Sequence, residues 1–352
     1  MPTNPLPDQA LHLAARLENR LIGWRTERAR SNGFAPLVIP YTGYGSTTWI
    51  RVLGRVMLNR GTHRLTGEPM GARGWRSFTS VPVQGARVRV EVDGKSHEVV
   101  ADRSGLVDAV VDVELEPGWH RVAYGVEDSE PTHGRVFVVD PQARFGLVSD
   151  IDDTVMVTAL PRPLLAAWHT FVVNEHARTT TPGMPVLYER MTDSHAGTPV
   201  VYLSTGAWNV APTLTRFLSR NLYPAGALLL TDWGPTPDAW FRDGTKHKRD
   251  ALERLAREFP DMRWLLVGDD GQHDPETYGR FCERHPDRVV AVCIRQLSPG
   301  EAVLAGSGAR RHVRRDGSKV PWFFGNDGAA LAEQLEDAGL LGDSPQQPEV
   351  EA

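Results

Sequence analysis

The stretch Phe145-Gly146-Leu147-Val148-Ser149-Asp150-Ile151-Asp152-Asp153-Thr154 constrains this chain more than any other. Its apolar run reads as a buried strand, and the strand ends in three carboxylates and a threonine. Acids this close repel one another, so a fold holds them together only with a compensating cation or hydrogen bonds. In an open α/β sheet, ligands bind at the carboxyl ends of the strands. The plainer alternative is an acidic Asx-turn or helix cap after a core strand.

At 352 residues the chain exceeds a usual single core, so two domains are expected. Residues 1–34 read as an N-terminal helix. Leu13, Leu17, Leu21 and Trp24 recur at helical spacing, with Arg16, Arg20, Arg25 and Arg28 falling largely elsewhere. A basic amphipathic helix of this kind either docks on its own domain or lies on an anionic membrane. Residues 35–141 change to short β runs divided by turns. Arg87 to Val92 alternates, and Asp93-Gly94 makes a hairpin turn into Ser96 to Ala101, in the manner of a β-sandwich. Gly43-Tyr44-Gly45-Ser46 lacks the lysine and following helix of a phosphate loop. Residues 142–341 alternate strand and helix, which predicts a mostly parallel sheet in an α/β domain. The tail, residues 342–352, is rich in Pro, Gln and acids and reads as disordered.

A net charge of −5 argues against a general nucleic-acid binder. Two cysteines make no disulfide framework, which points to a reducing compartment. Met1 to Gln9 lacks the order of a signal peptide, and no apolar stretch approaches the ~20 residues of a membrane span. A cytoplasmic protein is expected, with peripheral contact at an anionic membrane surface left open.

Three further stretches sit at the ends of predicted strands or before a helix. Val200 to Leu203 runs into Ser204-Thr205-Gly206. Lys246-His247-Lys248 precedes a helix. Leu265-Leu266-Val267 runs into Gly268-Asp269-Asp270-Gly271-Gln272-His273-Asp274. With Asp150-x-Asp152-x-Thr154, in this order, they resemble the four motifs of the haloacid-dehalogenase superfamily of phosphotransferases. That resemblance implies a Rossmann-like catalytic domain with a short cap, following the β-sandwich.

It also implies a division of labour. Asp150 would be the nucleophile and Asp152 the general acid and base. Ser204 would bind a phosphoryl oxygen, with Thr154, Thr205 and Gly206 completing the cradle. A lysine would neutralise Asp150 and the phosphate; Lys248, at the expected helix start, is preferred to Lys246. Mg2+ would be held by Asp150, the Asp152 carbonyl and Asp269, with Asp270 or Asp274 completing the set.

The resemblance narrows further. Ser149 to Thr154, Tyr202-Leu203-Ser204 with Ala207-Trp208-Asn209, His247-Lys248 and Val267 to Tyr278 are similar to the actin-patch-type phosphatidate phosphatase family. So are Thr180-Thr181-Pro182-Gly183, Leu230-Thr231-Asp232-Trp233-Gly234 and Ile294-Arg295. The family's usual Gly-Asp-Ser-Gly is Gly268-Asp269-Asp270-Gly271 here, which makes Asp270 an additional candidate ligand. The implied substrate is phosphatidate, a phosphorylated lipid, hydrolysed to diacylglycerol through an aspartyl-phosphate. A soluble phosphomonoester or phosphoprotein is the alternative, as is a catalytically silent binding module. The segment between Thr154 and Ser204 leaves room for a cap of one apolar helix, Leu164 to Val173. Trp168, Phe171, Trp208, Trp233, Trp240 and Phe241 are candidates to line the mouth, and Arg310 to Arg315 to face headgroups.

Overall fold

The computed structural model describes residues 28, 31, 33–60, 81–127, 129–157, 179–231, 237–271, 273–304 and 319–342. The expected N-terminal helix before Arg28, the cap helix, Trp168, Phe171, Trp233, Arg310 to Arg315 and the tail beyond residue 342 lie outside them. So do the side chains of Trp240 and Phe241. The chain is a mixed α/β protein that divides into two compact units, the second running mainly from Phe137 onward.

The first unit is built from alternation. Strand β3 (Arg87–Val92) buries Val88, Val90 and Val92 and exposes the residues between them. It joins β4 (Lys95–Val100) through Asp93-Gly94, both at positive φ (47° and 72°), as a two-residue hairpin turn requires. The other strands are β1 (Phe34–Gly45), β2 (Trp49–Arg60), β5 (Leu106–Asp112), β6 (Gly118–Val126) and β7 (Thr132–Val138). Hydrogen bonding joins all seven in one sheet, ordered β4-β3-β6-β7-β1-β2-β5. The two edge strands of that order, β4 and β5, touch, so the sheet curves back on itself. Strand β2 runs unbroken through Gly54 for twelve residues and so keeps the pairing continuous.

The second unit contains a parallel sheet of β8 (Phe145–Asp150), β11 (Val200–Ala207), β12 (Ala227–Thr231), β13 (Arg263–Asp269), β14 (Val289–Arg295) and β15 (Trp322–Gly325). Its order is β12-β11-β8-β13-β14-β15, and all five pairings within it are parallel. Strands β8 and β12 are buried along their whole length, as expected of apolar runs covered on both faces. The order steps outward in both directions from β8, so the carboxyl ends of β8, β11 and β13 lie side by side. A short antiparallel pair, β9 (Met156–Val157) and β10 (Thr179–Thr180), follows the acidic loop.

Helices α1 (Met184–Ser194), α2 (Ala211–Arg220), α3 (Pro237–Glu258), α4 (Asp274–Arg284), α5 (Pro299–Leu304) and α6 (Gly328–Asp337) link the strands. Gly183 and Gly328 bring the starts of α1 and α6 into backbone contact. A Cβ on Gly328 would stand 2.2 Å from the Gly183 carbonyl carbon, and the Gly328 N–H donates to Pro182 O at 2.9 Å. Among the described residues, no helix is long and apolar enough to cross a membrane.

Candidate functional site

Parallel register sets the first positions: Leu203 stands opposite Asp150 and Val267 opposite Ser149. The chain then turns tightly. Val155 and Met156 N–H groups both donate to Ile151 O at 3.0 Å, and the Asp153 N–H donates to Met156 O at 2.8 Å. Asp153 takes a left-handed φ of 58°, which an aspartate tolerates better than most side chains.

Lys248 is the hub of the site. Its Nζ lies 2.6 Å from Asp150 Oδ1 and 2.6 Å from Asp274 Oδ1, and all three residues are buried. Lys248 sits inside α3 rather than at a helix start, because the helix begins at Pro237. Lys246 is exposed and pairs with Asp250 four residues on. Thr154 Oγ1 donates to Asp150 Oδ2 at 3.3 Å. Ser204 Oγ donates to Asp152 Oδ2 at 3.0 Å and accepts from the Gly206 N–H at 2.9 Å. Thr205 contributes its carbonyl, which accepts from Thr231 Oγ1 at 2.8 Å. Asp269 Oδ1 accepts from the Gly271 N–H at 2.7 Å.

Carboxylate oxygens of Asp150, Asp269 and Asp274 all lie within 4.8 Å of one another. Such a hard, all-oxygen donor set fits Mg2+ or Ca2+ and offers nothing soft for a thiophilic ion. Asp270 stands outside this group, with its Oδ1 accepting from the Leu297 N–H at 2.9 Å. Asp152 is also outside it and is engaged with Ser204.

Burial pushes the Asp150 carboxyl well above the usual range; Lys248 opposes the shift, while Asp274 and Asp152 add to it. Burial likewise raises Asp269, reinforced by Asp274, Asp150 and Asp153. Burial works against the Lys248 charge, but Asp150, Asp274 and Asp269 together outweigh it and raise its pKa. One lysine therefore faces three carboxylates, and a further cation would relieve their repulsion.

Close packing holds this geometry. A Cβ on Gly268 would lie 2.6 Å from Asp274 Oδ2 and 2.8 Å from Tyr278 Cε2. The Gly268→Ala variant should therefore lose about 1–3 kcal/mol of stability through overpacking. Its Asp274 should also be displaced from Lys248. Denaturant melts together with metal titration would check both; wild-type values in each would show that the site can absorb the methyl.

Arg295 supports the acidic loop, a part that its sequence context does not reveal. Buried at the end of β14, it donates through Nη1 to Asp153 O at 2.7 Å. Nη2 donates to Glu301 Oε1 at 2.6 Å and Nε to Asn326 O at 3.3 Å. It clamps the acidic loop from below. The available signal was an arginine closing an apolar strand, which is unusual for a central position. Trp208, a candidate for the mouth, is instead buried.

A family model described as "Phosphatidate phosphatase APP1, catalytic domain" matches residues 145–296. The chain is 25% identical over 154 residues to the phosphatidate phosphatase APP1 of Saccharomyces cerevisiae, covering 44% of this chain and 26% of that protein. It is 25% identical over 152 residues to an uncharacterized protein of Schizosaccharomyces pombe, covering 43% and 25%. The chain thus spans about a quarter of the length of the curated relatives it matches. Among solved structures, PhoD aligns with a TM-score of 0.32 at 9% identity, over 74% of this chain and 70% of that one.

Proposed function

We propose, from the premise that residues 145–296 belong to the actin-patch-type phosphatidate phosphatase family, that this chain is a metal-dependent phosphatase hydrolysing phosphatidate to diacylglycerol. The observation that carries the proposal is the buried Lys248 held between Asp150 and Asp274, with Asp269 beside them. On this reading the parallel-sheet unit is a haloacid-dehalogenase-type catalytic domain.

Asp150 attacks phosphorus, forming an aspartyl-phosphate as the bond from phosphorus to the glycerol oxygen breaks. Asp152 gives its proton to the departing alkoxide, completing diacylglycerol. Water then attacks the aspartyl-phosphate while Asp152 takes a proton from it. The acyl–phosphate bond breaks, Asp150 is regenerated and inorganic phosphate leaves. Ser204, its Oγ held by the Gly206 N–H, keeps Asp152 oriented, and its hydroxyl would turn from Asp152 to donate to a phosphoryl oxygen. Lys248 opposes the desolvation of Asp150 and so favours its ionised form.

Asp150, Asp269 and Asp274 would hold Mg2+, with Asp274 rather than Asp270 as the third carboxylate. A bound Mg2+ would supply charge neutralisation between the nucleophile and an anionic phosphate.

Phosphate release from phosphatidate vesicles, with Mg2+ or chelator and beside a panel of soluble phosphomonoesters, tests the proposal. Release from the soluble compounds alone would refute the lipid substrate. Release from none would refute the enzyme.

Electrostatics adds a second expectation. The raised Asp269 carboxyl means that the native state binds a proton which the unfolded chain sheds near pH ~3.9. Metal-free stability should therefore fall as pH rises from about 4 toward 7. Asp269→Asn should lessen that fall, leaving the share of the raised Asp150 carboxyl, and Mg2+ should raise the melting temperature of the wild type at pH 7 but scarcely that of the variant. Parallel melting curves for the two proteins at every pH, with and without metal, would contradict it.

A further inference from the structure

We infer that the β6–β7 face of the first unit is a docking surface for the anionic headgroups of a phospholipid membrane. Trp119, His120, Arg121, His133, Gly134 and Arg135 line a groove of about 340 Å³. The groove arises from strand alternation. On β6 the buried Val122 and Tyr124 face the core, while Trp119 and Arg121 lie on the opposite side. On β7, His133 and Arg135 are exposed and Val136 is buried.

Trp119 is 41% exposed, a large apolar surface to leave in water. The Arg135 guanidinium lies over its ring, 4.9 Å from the centroid. That stacking fixes the ring and leaves the guanidinium edge with donors for phosphate oxygens. Two arginines and two histidines line the groove, and no carboxylate does. On the neighbouring β3, Arg89 and Glu91 share this face, opposite Gly125 and Ala123, and offset each other. An indole beside guanidinium groups suits the interfacial zone of a bilayer, where an amphipathic ring meets anionic headgroups.

The inference rests on the phosphatidate reading for its expectation of a lipid surface, but it can be tested apart from it. The full chain is floated with phosphatidylcholine vesicles, with and without phosphatidylserine, which is anionic and not a phosphomonoester. Wild type should bind only the anionic vesicles and should be released by salt. Each arginine near such a surface is worth about five-fold in binding, so the Arg121→Gln/Arg135→Gln variant should bind about 25-fold more weakly. Trp119→Ala should weaken binding as well, whereas Arg135→Lys should retain most of it. Melting temperatures, and hydrolysis of a short-chain soluble phosphatidate, should not change in these variants.

Wild-type binding by the double variant would overturn the inference. So would equal binding to uncharged vesicles or insensitivity to salt, and these two need no variant to fold. If phosphatidate proves not to be hydrolysed but the double variant still loses vesicle binding, the catalytic reading falls and the docking surface stands.

Discussion

Asp150→Asn is expected to lower phosphate release by roughly 10^4- to 10^6-fold, the scale seen when a covalent nucleophile is removed. The substitution takes away the attacking charge and almost no volume. Asp150 is fully buried, so its ionised form is costly in the apo protein, and Lys248 retains Asp274 as a partner after the change. Folding should therefore be preserved, with a melting temperature no lower than that of wild type. Turnover and melting are measured on the same preparation. Residual activity within ten-fold of wild type, with the fold intact, would eliminate Asp150 as the nucleophile.

Lys248→Met is expected to damage both properties. The ammonium is the shared partner of Asp150 and Asp274, and its loss leaves buried carboxylates facing one another. Breaking a buried pair in this way costs about 3–5 kcal/mol. Because the folded pKa of Lys248 is raised, its contribution is fully present below the unfolded value of about 10.4 and fades only above it. The full loss should therefore appear at neutral pH. Turnover should fall at least about 10^3-fold, as for other deleted electrostatic stabilisers. Lys246→Met is the internal control: its partner Asp250 is an exposed i,i+4 neighbour, worth under about 0.5 kcal/mol. Urea melts of the two variants separate the lysines. Equal destabilisation would mean that Lys248 is not the buried cation of the site.

The strands that carry the site were legible because their chemistry is local. Apolar runs closing in Asp150, Ser204 and Asp269 show both the strand and its end, and Asp93-Gly94 specifies its turn by backbone conformation alone. The start of α3 was not legible. Arg242-Asp243-Gly244-Thr245 has no apolar periodicity, so the helix seemed to begin near Lys248 instead of at Pro237. Helix α1 carried a readable signal that went unused, with Met184, Leu187, Tyr188 and Met191 spaced along one buried stripe.

Choosing between Asp270 and Asp274 was beyond any local pattern, because both are acids in one short loop. The outcome depends on how α4 brings its first residue back toward Lys248, while Asp270 is taken up by the Leu297 amide. The role of Arg295 depends on Asp153, Glu301 and Asn326, which are far apart in the chain.

The contacts of Arg295 and Gly328 separate two boundaries that are easily taken as one. The match to the family model stops at residue 296, yet the guanidinium that steadies the acidic loop leans on Asn326, and Pro182-Gly183 packs against Gly328. The matched stretch is thus shorter than the stretch that packs together. A chimera spliced at residue 296 would inherit the catalytic side chains but leave a buried arginine without one of its carbonyls. The C-terminal strand and helix thus serve the site through one backbone oxygen and one glycine rather than through a catalytic side chain.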